Sequence, residues 1–194
     1  MPAPKTTGRG RGTDLPPEFP LARTGVVVRR VSRQEEPALL GPLAGLLQDA
    51  VHGGASVGFL APLAPEAAGR YWQDVFRALD TDRLLWVAEH DDQLLGTVQL
   101  MSCARDNGRH RAEVQKLLVH TDARGQGIAG SLMRAVEGEA RAQGLRLLVL
   151  DTLRGSQAEQ VYVHLGWQRA GEVPDYAAAP DGALFPTVIF FKQL

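Results

Sequence analysis

The run Val114–Val119 is apolar, and it passes through HTDARGQG into Ile128, Ala129, Leu132, Val136 and Ala140, which recur at helical spacing. A strand that hands over to a helix through Arg124-Gly125-Gln126-Gly127 gathers free backbone N–H groups at the positive end of that helix. Glycine at 125 and 127 keeps side chains out of the ring of donors and admits turn conformations closed to other residues. A phosphate or pyrophosphate can then approach the main chain itself. Whatever fold the chain adopts, it must bring one strand end and one helix start together around open space.

The rest of the pattern supplies a sheet for that junction. Val26–Val31 reads as a first strand, followed by the capping-box spacing Ser32…Glu35 and a helix carrying Leu39, Leu40, Leu43, Leu46, Leu47 and Val51. Gly41-Pro42 predicts a kink or break in that helix, and His52-Gly53-Gly54 its end. A second helix begins at Pro65-Glu66 and shows Tyr71, Trp72, Val75, Phe76 and Leu79 on one face. LLWVAEH and LLGTVQLM, joined at Asp91-Asp92-Gln93, read as an antiparallel pair, and RAEVQKLLVH as a fourth strand. After the Ile128 helix, RLLVLD predicts a fifth strand buried on both faces. Ser156–Leu165 predicts a short helix, and WQRAGE and TVIFFK two closing strands. The order β-α-α-β-β-β-α-β-α-β-β predicts an α/β (α+β) domain over residues 24–194, a mixed sheet with helices on its faces. Val173–Leu184, with the turn signal Pro180-Asp181-Gly182, is expected either to wall the acceptor side or to be a plain connecting hairpin.

Charge and composition narrow the function. With 21 basic and 22 acidic residues the net charge is -1, so no overall field draws in nucleic acid or an anionic membrane. Residues 1–23, rich in Pro, Gly and Arg, read as a disordered extension, and KTTGRGRG within them as a solvated tail. One cysteine, Cys103, gives no internal disulfide and points to a reducing compartment; it is expected to be a passive small apolar residue rather than an acyl carrier. No stretch approaches the roughly 20 apolar residues of a membrane span, and a cytoplasmic location is expected. His52, His90, His110, His120 and His164 lack metal-ligand spacing, so no metal is expected.

Two readings of the glycine loop compete. Gly125-x-Gly127-x-x-Gly130 matches the dinucleotide fingerprint, and Asp151 follows 21 positions after Gly130, where a ribose-binding acid would stand. Against this, His120–Arg124 separate the strand from the first glycine, and only 43 residues follow Asp151. The preceding segments are not alternating βαβ units either.

Arg124-x-x-Gly127-x-Ala129 resembles the Q/R-x-x-G-x-G/A signature of the GNAT superfamily of acyl-CoA-dependent N-acyltransferases. KLLV before it, a helix after it, and the tyrosine four residues ahead of Gly166-Trp167 agree with that family's order of elements. VHGGASVGF, RAEVQKLLV, LDT and GEVPDYAAAPDGALFPTVIFFK look like the tabtoxin-resistance branch, whose acceptor is a β-lactam toxin derived from a dipeptide. The similarity runs from about Val28 to the C-terminus, with two departures. Thr121 stands where a proline often follows the fourth strand, and Gly155 where an asparagine often begins the coenzyme-facing helix.

The resemblance implies a mostly antiparallel seven-stranded sheet whose fourth and fifth strands splay apart to admit the pantetheine arm of acetyl-CoA, in the manner of an added strand. It implies that Arg124, Gly125, Gln126, Gly127, Ile128 and Ala129 hold the pyrophosphate, and that a backbone N–H of Leu118 or Val119 serves the developing oxyanion. An amine attacks a thioester only when neutral, so a base is needed. Glu113 is the first choice and Asp151 the second; either could instead be an ordinary salt-bridged acid. Tyr162 matches the phenol that protonates the leaving thiolate, with a packed core tyrosine as the alternative. His52 is expected either to bind the acceptor or to serve only the helix C-terminus. The expected reaction moves an acetyl group from acetyl-CoA to the amine of a small polar, amino-acid-like or β-lactam molecule, in a possible homodimer. The competing reading is a silent acyl-CoA sensor, which would need the loop but have no use for Glu113 and Tyr162.

Overall fold

The computed structural model describes residues 24–194 except 81, 180 and 181. The expected disordered extension and two residues of the Pro180-Asp181-Gly182 turn lie outside the described residues.

Seven strands form one sheet: β1 (Val27–Arg30), β2 (Arg83–His90), β3 (Gln93–Ser102), β4 (Arg111–Val119), β5 (Leu147–Leu153), β6 (Gln168–Ala178) and β7 (Leu184–Gln193). Their order is β1-β2-β3-β4-β5-β7-β6, and β4 with β5 is a parallel pair in an otherwise antiparallel sheet. The helices are α1 (Glu36–His52), α2 (Pro65–Ala78), α3 (Ile128–Ala142) and α4 (Gln157–His164).

Alternation along the strands splits the core into two layers. Leu84, Trp86, Val98, Leu100, Val114, Leu148, Leu150, Val188 and Phe190 pack with Ile128, Leu132, Met133 and Val136 of α3 and Tyr162 of α4. On the opposite face Leu85, Val87 and Leu118 meet Leu43, Leu46, Leu47 and Val51 of α1 and Trp72, Val75 and Phe76 of α2. Successive residues of β2 thus point into different cores, which is why Leu84–Ala88 is an unbroken apolar run. The β2–β3 turn is tight because Asp91 and Asp92 both adopt positive φ, 49° and 61°, the pairing of left-handed residues that fits the twist of a hairpin.

Two expectations fail, and a third that left two readings open is decided. Gly41-Pro42 does not break α1, which runs from Glu36 to His52 with Pro42 inside it. Gly41 and Pro42 face solvent, so the backbone group left without a partner at the proline is open to water while buried Leu39, Leu43, Leu46 and Leu47 hold the helix down. The fifth strand is not buried on both faces: Leu148 and Leu150 are, but Asp151 is exposed, because β5 borders a gap on the α1/α2 side. Of the two readings of Val173–Leu184 the connecting hairpin is the one present: β6 continues to Ala178 and β7 starts at Leu184, with Ala178 paired to Leu184. The resulting hairpin reaches the α1–α2 connection, where the Ser56 hydroxyl lies 3.5 Å from the Ala178 carbonyl oxygen.

Candidate active site

The gap opens between β4 and β5. They pair only from Arg111 with Leu147 to Glu113 with Val149. Beyond that fork β4 stays on β3, while β5 stays on β7. A bulge redirects β4: Lys116 has φ 49°, and the β3–β4 register slips between Thr97 and Gln99. An extra residue in one strand bends it and increases its twist.

Strand residues alternate in the direction of their backbone groups, N–H and C=O of one residue pointing to the same side. The His120 N–H donates to the Leu95 carbonyl, and the Leu118 carbonyl lies 2.8 Å from a Cβ built on Gly96, so residues 118 and 120 address β3. Val119 therefore faces the gap, and its carbonyl accepts Arg124 Nε at 3.3 Å. Of the two expected oxyanion donors, only the Val119 amide is turned toward the gap; that of Leu118 is turned into the sheet.

At the mouth of the gap the chain makes a single turn at Thr121–Ala123 and enters α3. Gly125 and Gly127 both have φ 74°, the left-handed conformation that glycine tolerates without strain. Gly127 is the cap of α3 and offers no side-chain acceptor, and no acidic residue lies in the first turn. The first N–H groups of α3 thus remain free for an anion. Ile128 is buried in the core and Ala129 half-buried, so their contribution here is main-chain. The Gln126 side chain is tied back, its Nε2 donating to the Asp122 carbonyl at 3.2 Å, while its buried Oε1 has no partner. Thr121 explains one departure from the family pattern: its N–H and hydroxyl donate to Asp49 Oδ2 at 2.9 and 3.1 Å, tying the loop to the end of α1 through an amide proton that proline lacks.

Glu113 occupies the last paired position of the fork, and its Oε1 accepts Gln115 Nε2 at 2.8 Å. Asp151 stands two residues past the fork on β5, exposed, and its Oδ2 accepts the Thr187 hydroxyl at 3.0 Å. Neither acid is ion-paired to another described residue. Tyr162 comes from α4 on the other side of the sheet, its ring 6.0 Å from those of Trp167 and Phe190. Burial, with the Asp151 charge adding to it, pushes its phenol well above the ordinary value, so it stays protonated and keeps a proton to donate. Its body fulfils the packed-core alternative while its charge environment reaches the fork. His52 is exposed at the end of α1, and its Nε2 accepts the Leu63 N–H at 3.3 Å, which fixes the following loop.

Residues that the sequence reading passed over line the α1/α2 side of the fork. Arg83, Met101 and Glu113 are cross-strand neighbours, and Leu85 and Gln99 are the next such pair on the same face. Gln99 Nε2 donates to the Tyr71 hydroxyl at 2.9 Å, while its buried Oε1 has no partner among the described residues. Tyr71 stacks edge-on with Phe59 at 5.4 Å, and Lys116 Nζ sits 5.4 Å above the Tyr71 ring. Burial pushes the Lys116 ammonium below its usual value, against the opposing charges of Asp151 and Glu113 and with help from Arg83. One signal was available in the sequence: lysine occurs only at 5, 116 and 192 in a chain rich in arginine, and Lys116 interrupts an apolar strand.

The geometry is thus a mixed sheet forked between two parallel strands, with an uncapped helix start at the mouth of the fork. The chain belongs to the acetyltransferase (GNAT) family, whose model matches residues 53–167. It is 37% identical over 139 residues to an N-acetyltransferase encoded between hisH and hisA in Azospirillum brasilense, covering 71% of this chain and 80% of that one. It is 35% identical over 130 residues to rat N-acetyltransferase 8, where the match spans 59% of each protein. Among solved structures, yncA of Salmonella typhimurium with its cofactor acetyl-CoA superposes with a TM-score of 0.71 at 16% identity, over 88% of this chain and 95% of that one. An N-acetyltransferase of Staphylococcus aureus gives 0.70 at 19% identity, over 88% and 99%. These low identities speak for the fold. Among the described residues no helix is long and apolar enough to cross a membrane.

Proposed function

We propose that the chain catalyses direct transfer of an acetyl group from acetyl-CoA to the amine of a small polar acceptor. The observation that carries this is the fork itself: pairing of β4 with β5 stops at Glu113 and Val149, and one acid stands on each strand there. The free N–H groups at the start of α3 hold the pyrophosphate, with Arg124 beside them. The outward backbone groups of β4 past the bulge, unused by the sheet, pair with the pantetheine arm.

Acetyl-CoA supplies the activated thioester. Glu113, or Asp151, takes a proton from the acceptor ammonium, directly or through water, and the free amine forms a C–N bond to the carbonyl carbon. The Val119 N–H donates to the oxygen that becomes negative. The nitrogen, positive after attack, gives up its second proton to water, and as the C–S bond breaks the Tyr162 hydroxyl gives its proton to the departing sulfur, leaving an N-acetylated product and the free thiol; Tyr162 then recovers the proton held by the base through solvent, so that one proton is released overall.

Likeness in VHGGASVGF and the closing hairpin makes amino-acid-like β-lactam toxins of the tabtoxin type the first acceptors to try. The test is release of free thiol from acetyl-CoA on adding a panel of small amines, with tabtoxinine-β-lactam included. Acceptor-dependent release is expected. Tight binding of acetyl-CoA without release for any amine would mean a coenzyme sensor and overturn the catalytic reading.

A further inference from the structure

Of the lysines in the described residues, one is spent and one is not. Lys192 Nζ donates to Glu137 Oε1 and to the Leu165 carbonyl, both at 2.8 Å. Lys116 Nζ makes no hydrogen bond or ion pair with any described residue. It hangs over the Tyr71 ring, and a Cβ built on Gly58 would lie 3.9 Å from it. On the same face Arg83 has no carboxylate partner among the described residues; its guanidinium meets the Met101 sulfur, at 3.1 Å. A largely buried ammonium with three idle donors is costly unless something else completes it. The acids of the fork do not do so: no hydrogen bond or ion pair joins Lys116 to Glu113 or Asp151, whose side-chain partners are Gln115 and Thr187.

We propose that Lys116 binds a carboxylate of the acceptor, so that the substrate is an amino acid or amino-acid-like zwitterion laid along the bulge of β4. Its ammonium goes to the acids of the fork and its carboxylate to Lys116, with Arg83 adding positive field and the Tyr71 and Phe59 rings forming the wall. This rests on the acetyl-transfer reading of the same site. The bulge has a definite part: its extra residue lets a cation and an acid of one strand address a single small molecule.

The experiment compares the proteinogenic α-amino acids and tabtoxinine-β-lactam with their carboxamides as acceptors, in the full-length enzyme and in Lys116→Gln and Lys116→Arg. Acetyl-CoA affinity is measured separately by calorimetry. The wild type is expected to favour a carboxylate over its amide by about tenfold or more in kcat/KM, the scale of one charge-assisted hydrogen bond. Lys116→Gln should lose that preference, mainly through KM, and Lys116→Arg should recover part of it. A lysine that merely supports the fold would lower both acceptors together and leave their ratio unchanged, which overturns the proposal. So does a wild type that acetylates amides equally well or no carboxylate in the panel. Acetyl-CoA that binds normally in those cases confines the failure to Lys116, whereas loss of coenzyme binding in the wild type would sink the transferase reading.

Discussion

Two strand-to-helix junctions flank the fork, and they treat the same problem in opposite ways. Every helix starts with N–H groups that lack a partner inside it. At α4 the chain supplies partners: the Ser156 hydroxyl accepts the Glu159 N–H at 3.2 Å, and the Glu159 carboxylate accepts the Gly155 N–H at 2.7 Å. At α3 it supplies none, because Gly127 is the cap and no acid follows in the first turn. Both junctions use a glycine at positive φ, 76° for Gly155 and 74° for Gly127, so backbone shape is not the difference. What differs is whether side chains have been provided to neutralise the helix's positive end. One junction is closed on itself, and the other leaves its first N–H groups open, as the proposed coenzyme site requires.

The sharpest way to break this contrast is to give α3 what α4 has. Gly127→Asp places an acceptor and a negative charge at the cap, a residue type that caps well and is tolerated in the left-handed region. Acetyl-CoA affinity should fall by at least about a hundredfold, from repulsion and a blocked donor ring, while circular dichroism and thermal unfolding show an intact fold. Calorimetry that finds affinity within a few-fold of wild type would mean that the open helix start is not the coenzyme site.

The chemistry at the fork should respond in the reverse sense, with binding retained and turnover lost. Replacing the base, by Glu113→Gln or Asp151→Asn, should lower kcat by about 10²–10³-fold without moving acetyl-CoA affinity. The variant with the larger loss identifies the base, and small losses in both would remove the fork acids from the mechanism. Tyr162→Phe should cost less, about ten- to a hundredfold in kcat, since solvent can in part protonate a thiolate. Its pH dependence has a definite sign. The raised phenol stays neutral, and therefore able to donate, through and beyond the range near pH 10 where a free tyrosine ionises. A fall in wild-type kcat well below that pH, absent in Tyr162→Phe, would contradict the assignment.

Much of this was legible because it is written in local patterns. The element order followed from periodicity, and the uncapped start of α3 was legible in the glycines and the missing acids of the Arg124–Gly127 junction. The reach of Glu113 to the fork was readable from its place ahead of KLLV. The bulge was not, since nothing in RAEVQKLLV marks Lys116 as a non-glycine residue at φ 49°; only the register against β3 reveals it. Without the bulge the choice between the Leu118 and Val119 amides could not be made, for an extra residue reverses which one faces the gap. Tyr71 read as part of the apolar stripe of α2, and its bond to Gln99 depends on a strand about 28 positions away that only folding brings near. Gly41-Pro42 misled for the opposite reason: a local breaker was outweighed by the packing of α1 on α2.

The smallest expected effect sharpens the contrast from its closed side. Ser156→Ala removes the acceptor of the Glu159 N–H and the 3.3 Å contact with the Thr152 hydroxyl. The junction at α4 should then lose about 1 kcal/mol, the ordinary worth of a helix cap, seen as a modest drop in the midpoint of thermal unfolding. Acetyl-CoA affinity should stay within about twofold, because the donors it exposes already have the Glu159 carboxylate beside them and offer no competing anion site. If affinity instead fell as steeply as in Gly127→Asp, the cap of α4 would be part of the coenzyme site, and the division between a junction closed by its own side chains and one completed by a ligand would be lost.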